Sequence, residues 1–275
     1  MVESMRVAVA QLCSKPSPGE NLEVCERLVV EAARLGADWV AFPENAPHLG
    51  PARSNLGVAE ALDGPVVSAF AEMARASGVA VLLGSTAEAG PDPSRAYNTS
   101  VLLGRQGQIL GVYRKIHLFD VELPSGQRLW ESESVAAGEA LTVAELEGFG
   151  VGMSVCYDLR FPELYRALRR RGAHVLAIPS AFTERTGRDH WEVLLRARAI
   201  ENQCYVVAPG QWGEHLQGRQ SYGRSMIIDP WGTVLATAPD GVGVALARIE
   251  VSQVEEVRRR MPCLSHARLL TGEEG

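Results

Sequence analysis

Positive charge is in no excess in this sequence: 27 Lys and Arg stand against 33 Asp and Glu among 275 residues, for a formal net charge of −6. A nucleic acid or an anionic membrane surface therefore has no electrostatic footprint to bind, and neither is expected as a partner. Long apolar runs are missing too. No window approaches the roughly 18–20 apolar residues that cross a bilayer. The N-terminus shows no basic segment followed by an apolar core, so a secretory leader is not expected. Cysteine is scarce, with five residues at 13, 25, 156, 204 and 263, and no two at Cys-x-x-Cys spacing. That argues against a disulfide scaffold or a zinc ribbon and for a reducing, cytoplasmic setting. The six histidines, at 48, 117, 174, 190, 215 and 266, form no His-x-x-x-His pattern, so no metal site is expected.

With 46% hydrophobic and 22% charged residues, the composition is that of a globular protein. Short continuous apolar runs at 39–42, 79–83, 151–155, 175–178 and 205–208 read as strands covered on both faces. Helical patterns lie between them. Asn21 is expected to cap a helix that stops near Gly36, and Pro65 to open another that closes near Gly78. Pro162 opens a third, ending at Gly172. Asp189 and Glu192 have capping-box spacing for a helix reaching Asn202. Two hairpins are predicted, at Gly104–Gly107 and Asp229–Gly232. Loops are expected at 43–63, 89–95 and 118–138. No Pro, Ser or Gly-rich linker divides the chain, which predicts one layered α/β domain over residues 1–275.

Among the cysteines, Cys156 follows the run 151–155 and precedes the helix opened by Pro162, so its thiol is expected at a sheet edge where α/β sites form. A buried apolar role is the competing reading. Glu44 follows strand 39–42 and a proline, and is either a site acid or a solvated loop acid. Lys115 follows the strand 108–113 and is either a site cation or a solvated strand end. A nucleophilic thiol needs a base and gains from a cation, and these two residues supply both types. Spacing alone does not bring the three together.

Read in order, Ala41–Asn45, Tyr113–Asp120 and Gly152–Glu163 resemble the three signature segments of the nitrilase superfamily, the carbon–nitrogen hydrolases. The resemblance implies a four-layer α-β-β-α sandwich and a homodimer or higher homo-oligomer. It implies a catalytic set of Cys156 as nucleophile, Glu44 as base, Lys115 as cation and Glu131 as auxiliary acid, with Glu133 as the alternative register for the last. For substrate binding it implies Arg160 toward a carboxylate, with Tyr157, Phe182 and Thr186 lining the pocket. An Arg160–Glu163 ion pair and a purely packing Phe182 stay open beside these roles. The segments 190–201, 203–208, 221–223 and 229–234 are similar to the deaminated glutathione amidase type of the Nit branch, with no nucleotide-binding domain attached.

The implied reaction is thioester-mediated hydrolysis of a small carboxylate-bearing amide with release of ammonia. It needs no cofactor. Arg160 suits both deaminated glutathione and α-ketoglutaramate, the ω-amidase substrate. Acyl transfer to an amine, and a catalytically silent interaction protein on the same fold, remain the other classes.

Overall fold

Alternation along the strands divides their apolar residues between different cores. Val7 and Val9 face one core and Ala8 and Ala10 another; Trp39 and Ala41 separate from Val40 and Phe42 in the same way, as do Val175 and Ala177 from Leu176 and Ile178. A side-chain period of two requires this once both faces of a sheet are covered. The computed structural model describes residues 4–51, 53–90, 92–122 and 128–268.

The first sheet has the order β17-β1-β2-β3-β4-β5, formed by Gly243–Glu250, Ser4–Gln11, Trp39–Ala41, Ala80–Ala89, Ala96–Leu103 and Ile109–Arg114, with β8 (Val135–Ala136) paired to β4. The second has the order β16-β15-β12-β11-β10-β9, formed by Val234–Thr237, Met226–Ile228, Tyr205–Ala208, Val175–Ala177, Phe149–Met153 and Val143–Leu146. Each has a parallel centre, β1-β2-β3 in one and β10-β11-β12 in the other, flanked by antiparallel strands. Two ribbons stand apart: β6 (Asp120–Glu122) with β7 (Arg128–Trp130), and β13 (Trp212–Leu216) with β14 (Arg219–Tyr222).

Val7, Trp39, Leu82, Val151, Val175 and Tyr205 fill the space between the sheets. Helices α1 (Pro18–Arg34) and α2 (Pro65–Ser77) cover the outer face of the first sheet through Cys25, Leu28, Val29 and Phe70. Helices α3 (Pro162–Arg170) and α4 (Glu184–Asn202) cover the second through Leu164, Leu168, Trp191 and Leu195. The layers therefore run helix, sheet, sheet, helix, as the resemblance implied. Helix α5 (Val251–Arg260) follows β17 and places Val254 in the core between the sheets. Among the described residues no helix is long and apolar enough to cross a membrane.

Two helix starts differ from expectation. Ser17 caps α1, accepting from Glu20 N, and Asn21 is instead a buried loop anchor: its Oδ1 accepts from Lys15 N, and its Nδ2 donates to the Lys15 and Pro47 carbonyls. Helix α4 begins at Glu184, so Asp189 and Glu192 lie inside it and Glu192 pairs with Arg196. Gly187 obscures the helical pattern, and packing explains it. A Cβ there would stand 2.2 Å from the Tyr222 Cβ, so its first turn must be bare where β14 crosses it.

Candidate active site

The three residues singled out by the sequence each follow a strand, and their strand ends converge. Glu44 comes three residues after β2, and Pro43 lies against Gly84 of β3. A Cβ at Gly84 would meet the Phe42 carbonyl oxygen at 1.9 Å, so only glycine permits the crossing that aims Glu44 inward. Lys115 follows β5 directly, and its backbone N–H donates to the Asn98 carbonyl at 2.9 Å. Cys156 lies beyond β10 at the start of a 3-10 turn (Cys156–Arg160), with φ of +50°. That left-handed backbone is disfavoured for a residue with a Cβ. It is held there by Cys156 N donating to the Pro179 carbonyl (2.9 Å), and by Val155 N donating to the Asp158 carboxylate (2.8 Å).

Lys115 and Glu44 are 2% and 4% exposed, and their burial makes the pairing specific. Lys115 Nζ donates to Glu44 Oε1 at 3.0 Å and to Glu131 Oε2 and Oε1 at 2.8 and 3.1 Å. Asn98 Nδ2 bridges the same carboxylates, donating to Glu44 Oε1 at 3.0 Å and to Glu131 Oε1 at 3.1 Å. Backbone N–H groups complete the set, Ala181 N to Glu44 Oε2 at 3.0 Å and Phe119 N to Glu131 Oε2 at 2.7 Å. An ionised carboxylate accepts about four hydrogen bonds. By that count, among the described residues, Glu131 is filled, whereas Glu44 keeps one acceptor position, on Oε2. Glu133 is exposed and stands outside the cluster, so Glu131 is the acid that meets Lys115.

Burial works against the Lys115 charge, but Glu131 and Glu44 outweigh it and hold the ammonium pKa well above its usual value. Burial and the neighbouring Glu44 charge push the Cys156 thiol up, against the opposing pull of Lys115. Glu44 is thus the neighbour that, with burial, favours the protonated form of the thiol.

Three of the residues expected to bind substrate, Tyr157, Arg160 and Phe182, lie together. Arg160 ends the 3-10 turn, its guanidinium 5.9 Å from the Tyr157 ring centroid and 5.4 Å from that of Phe182, with Nη1 3.3 Å from His190 Nδ1. Among the described residues it makes no ion pair with Glu163. Phe182 is buried against Trp191 and carries Arg160 on its ring. Thr186 lies in the first turn of α4, its hydroxyl 2.8 Å from that of Thr183.

Several participants had no place in the sequence reading. Asn98 interrupts a strand-like run, where asparagine is depleted, and that mismatch was its one signal. Asp158 is fully buried, accepting from Tyr113 Oη, from His117 N and from Val155 N, with His117 Nδ1 2.7 Å away. The Ala181 and Phe119 amides are backbone groups, which no residue type announces. Among the described residues no cluster of three or more His, Cys, Asp or Glu side chains has metal-binding geometry.

Residues 6–259 match the family model for carbon–nitrogen hydrolases. The chain belongs to the carbon–nitrogen hydrolase family. Among relatives of this hydrolase, the deaminated glutathione amidase of Synechocystis is 46% identical over 266 residues, covering 94% of this chain and 96% of that protein. The human deaminated glutathione amidase is 45% identical over 268 residues, 95% of this chain and 82% of that protein. Among solved structures, the NitFhit protein of C. elegans superposes with a TM-score of 0.92 at 39% identity; the match covers 97% of the hydrolase and 65% of that chain. Nit3 of Saccharomyces cerevisiae, a member of branch 10 of the nitrilase superfamily, gives 0.87 at 28% identity, with 97% of each chain covered.

Proposed function

We propose that this hydrolase cleaves the γ-amide of deaminated glutathione through a Cys156 thioester. The observation that carries the mechanism is the acceptor count: among the described residues Glu44 has one free position, on Oε2, and is a charge neighbour of the Cys156 thiol, whereas Glu131 has none. The names and identities of the relatives support the substrate.

Cys156 Sγ attacks the amide carbonyl carbon as its proton passes to Glu44 Oε2. Lys115 turns a hydrogen from Glu131 toward the developing oxyanion, joined by the Tyr157 backbone N–H, each donor worth about 3–4 kcal/mol in such sites. Glu44 returns the proton to the amide nitrogen as the C–N bond breaks. It then takes a proton from water, which attacks the thioester; the C–S bond breaks and the thiol is restored. Glu131, with every acceptor position filled, orients Lys115 and moves no proton. Deaminated glutathione has an oxo group where glutathione has its amine, so its γ-amide is secondary and the departing group is cysteinylglycine. Ammonia is the leaving group only for a primary amide such as α-ketoglutaramate.

The test incubates purified protein with each compound and follows 2-oxoglutarate, cysteinylglycine and ammonia. Faster cleavage of deaminated glutathione is expected, with at least a 10³-fold loss in Cys156→Ala and no change in its thermal midpoint beyond about 2 °C. Absence of cleavage, or a Cys156→Ala protein as active as wild type, refutes the mechanism; preference for α-ketoglutaramate refutes the substrate. We place the activity in one unit spanning residues 1–275, in the cytoplasm, a setting supported by five free thiols. Self-association into a homodimer or higher homo-oligomer is supported by apolar Val193, Ile200 and Trp231, which are 68%, 49% and 57% exposed; sedimentation velocity tests it.

A further inference from the structure

Arg219 begins β14, on a ribbon attached to both loops that build the site. On one side Gln211 Nε2 donates to the Glu44 carbonyl at 3.0 Å, and Arg219 Nη1 itself donates to the carbonyl of Gly50 at 2.8 Å. On the other, Tyr222 N donates to the Phe182 carbonyl at 3.0 Å, and Ser221 bridges to Thr183. That second loop, from Pro179 to Thr183, holds both Cys156 N and Glu44 Oε2. Among the described residues Arg219 has no carboxylate partner, and its Nε and Nη2 donate to none of them. Its side chain is exposed, yet enough protein surrounds it for desolvation to lower the guanidinium pKa, while Glu44, Glu131 and Cys156 pull the other way.

We propose that Arg219 binds a carboxylate on the leaving half of the substrate, so that the site selects amides whose departing amine ends in a carboxylate. The inference rests on the amidase reading above and deepens it. The acyl half stays attached to Cys156 through two chemical steps, so its anchor belongs inside. Arg160, half-buried over Tyr157 and Phe182 at the end of the Cys156 turn, is suited to that. The amine must depart between the steps, and an exposed anchor lets it go. A dipeptide spans at most about 7 Å, so the far carboxylate of a cysteinylglycine-like amine lies within a long side chain's reach of the reacting carbon. The open side of the Arg219 guanidinium offers it a bidentate fork. A substrate that releases ammonia presents nothing to Arg219.

Binding by calorimetry to Cys156→Ala protein, which turns nothing over, tests this with three ligands: deaminated glutathione, its C-terminal carboxamide, and α-ketoglutaramate. With Arg219 present, the free acid is expected to bind about tenfold more tightly than the carboxamide. Arg219→Gln should abolish that difference and lower the ratio of deaminated glutathione to α-ketoglutaramate affinity by the same factor; Arg219→Lys should restore part of it. Equal binding of acid and carboxamide when Arg219 is present, or equal weakening of all three ligands by Arg219→Gln, overturns the proposal. Turnover of the intact enzyme is a separate readout. An enzyme that binds acid over carboxamide through Arg219 but cleaves neither would sustain this inference and defeat the amidase reading.

Discussion

His215 makes the ribbon under Arg219 sensitive to acid, and its effect on stability follows from its burial. The ring is 4% exposed, with Nδ1 2.9 Å from the Ser14 carbonyl and Nε2 2.9 Å from the Ser221 hydroxyl. The carbonyl can only accept, so Nδ1 carries the hydrogen and Nε2 accepts from Ser221. Burial pushes the imidazole pKa down from 6.5 to about 4. Between those values the unfolded chain binds more protons than the folded one, so stability falls as pH drops from 6.5 toward 4. The full loss is about 3 kcal/mol, and none is felt above pH 7. In His215→Asn the amide still donates toward Ser14 but leaves Ser221 without its partner, at a cost of about 1–2 kcal/mol at pH 7.5. The other titrating groups are common to both proteins and cancel in the difference. Urea unfolding at pH 7.5, 6.5, 5.5 and 4.5 should therefore show the wild-type advantage shrinking by about 1.4 kcal/mol per pH unit below 6.5, and vanishing at about pH 5–6. A difference that stays constant across the series would mean that His215 is not held neutral in the folded state, and the reasoning fails.

Glu131→Gln removes one of the two charges that hold the buried Lys115 and should lower kcat about 10²-fold or more, while the exposed Glu133→Gln stays within twofold; equal effects in steady-state assays would refute the choice between them. Asn98→Leu deletes two hydrogen bonds to carboxylates but also a buried amide oxygen that has no partner, so these opposing terms should keep the stability change within about 2 kcal/mol. Its activity should nevertheless fall about 10²-fold as Glu44 and Glu131 lose their bridge, and activity within threefold of wild type would deny Asn98 a positioning role. Gly84→Ala forces a methyl onto the Phe42 and Pro43 carbonyls and should cost about 3 kcal/mol or more by denaturant titration, together with most of the activity through displacement of Glu44; a neutral substitution would show that the crossing is not tight.

Strand runs, their proline and glycine boundaries, and the residues that follow them are properties of short segments, and these were legible. The runs at 39–42, 175–178 and 205–208 became β2, β11 and β12 nearly in register, and Glu44, Lys115 and Cys156 each follow a strand as expected. Helix starts were less legible where a local signal had a better use elsewhere: Asn21 is spent on Lys15 and Pro47, and Gly187 serves the contact with Tyr222. Likeness to the hydrolases pointed to Glu131 or Glu133, and only the 3-10 turn at 131–133 decided which of them turns inward.

By itself, then, the sequence determined the alternating layers, the family, and the residue types available to the site. Tertiary structure decided how they are connected. Asn98 reaches Glu44 across 54 positions, the Ala181 amide reaches it across 137, and Arg219 reaches Gly50 across 169. Contacts over such separations are set by which strands neighbour each other and in what register, and by where two sheets and a ribbon bring their loops together. A hydrogen bond depends on tenths of an ångström at the end of that assembly, and no spacing along the chain encodes it.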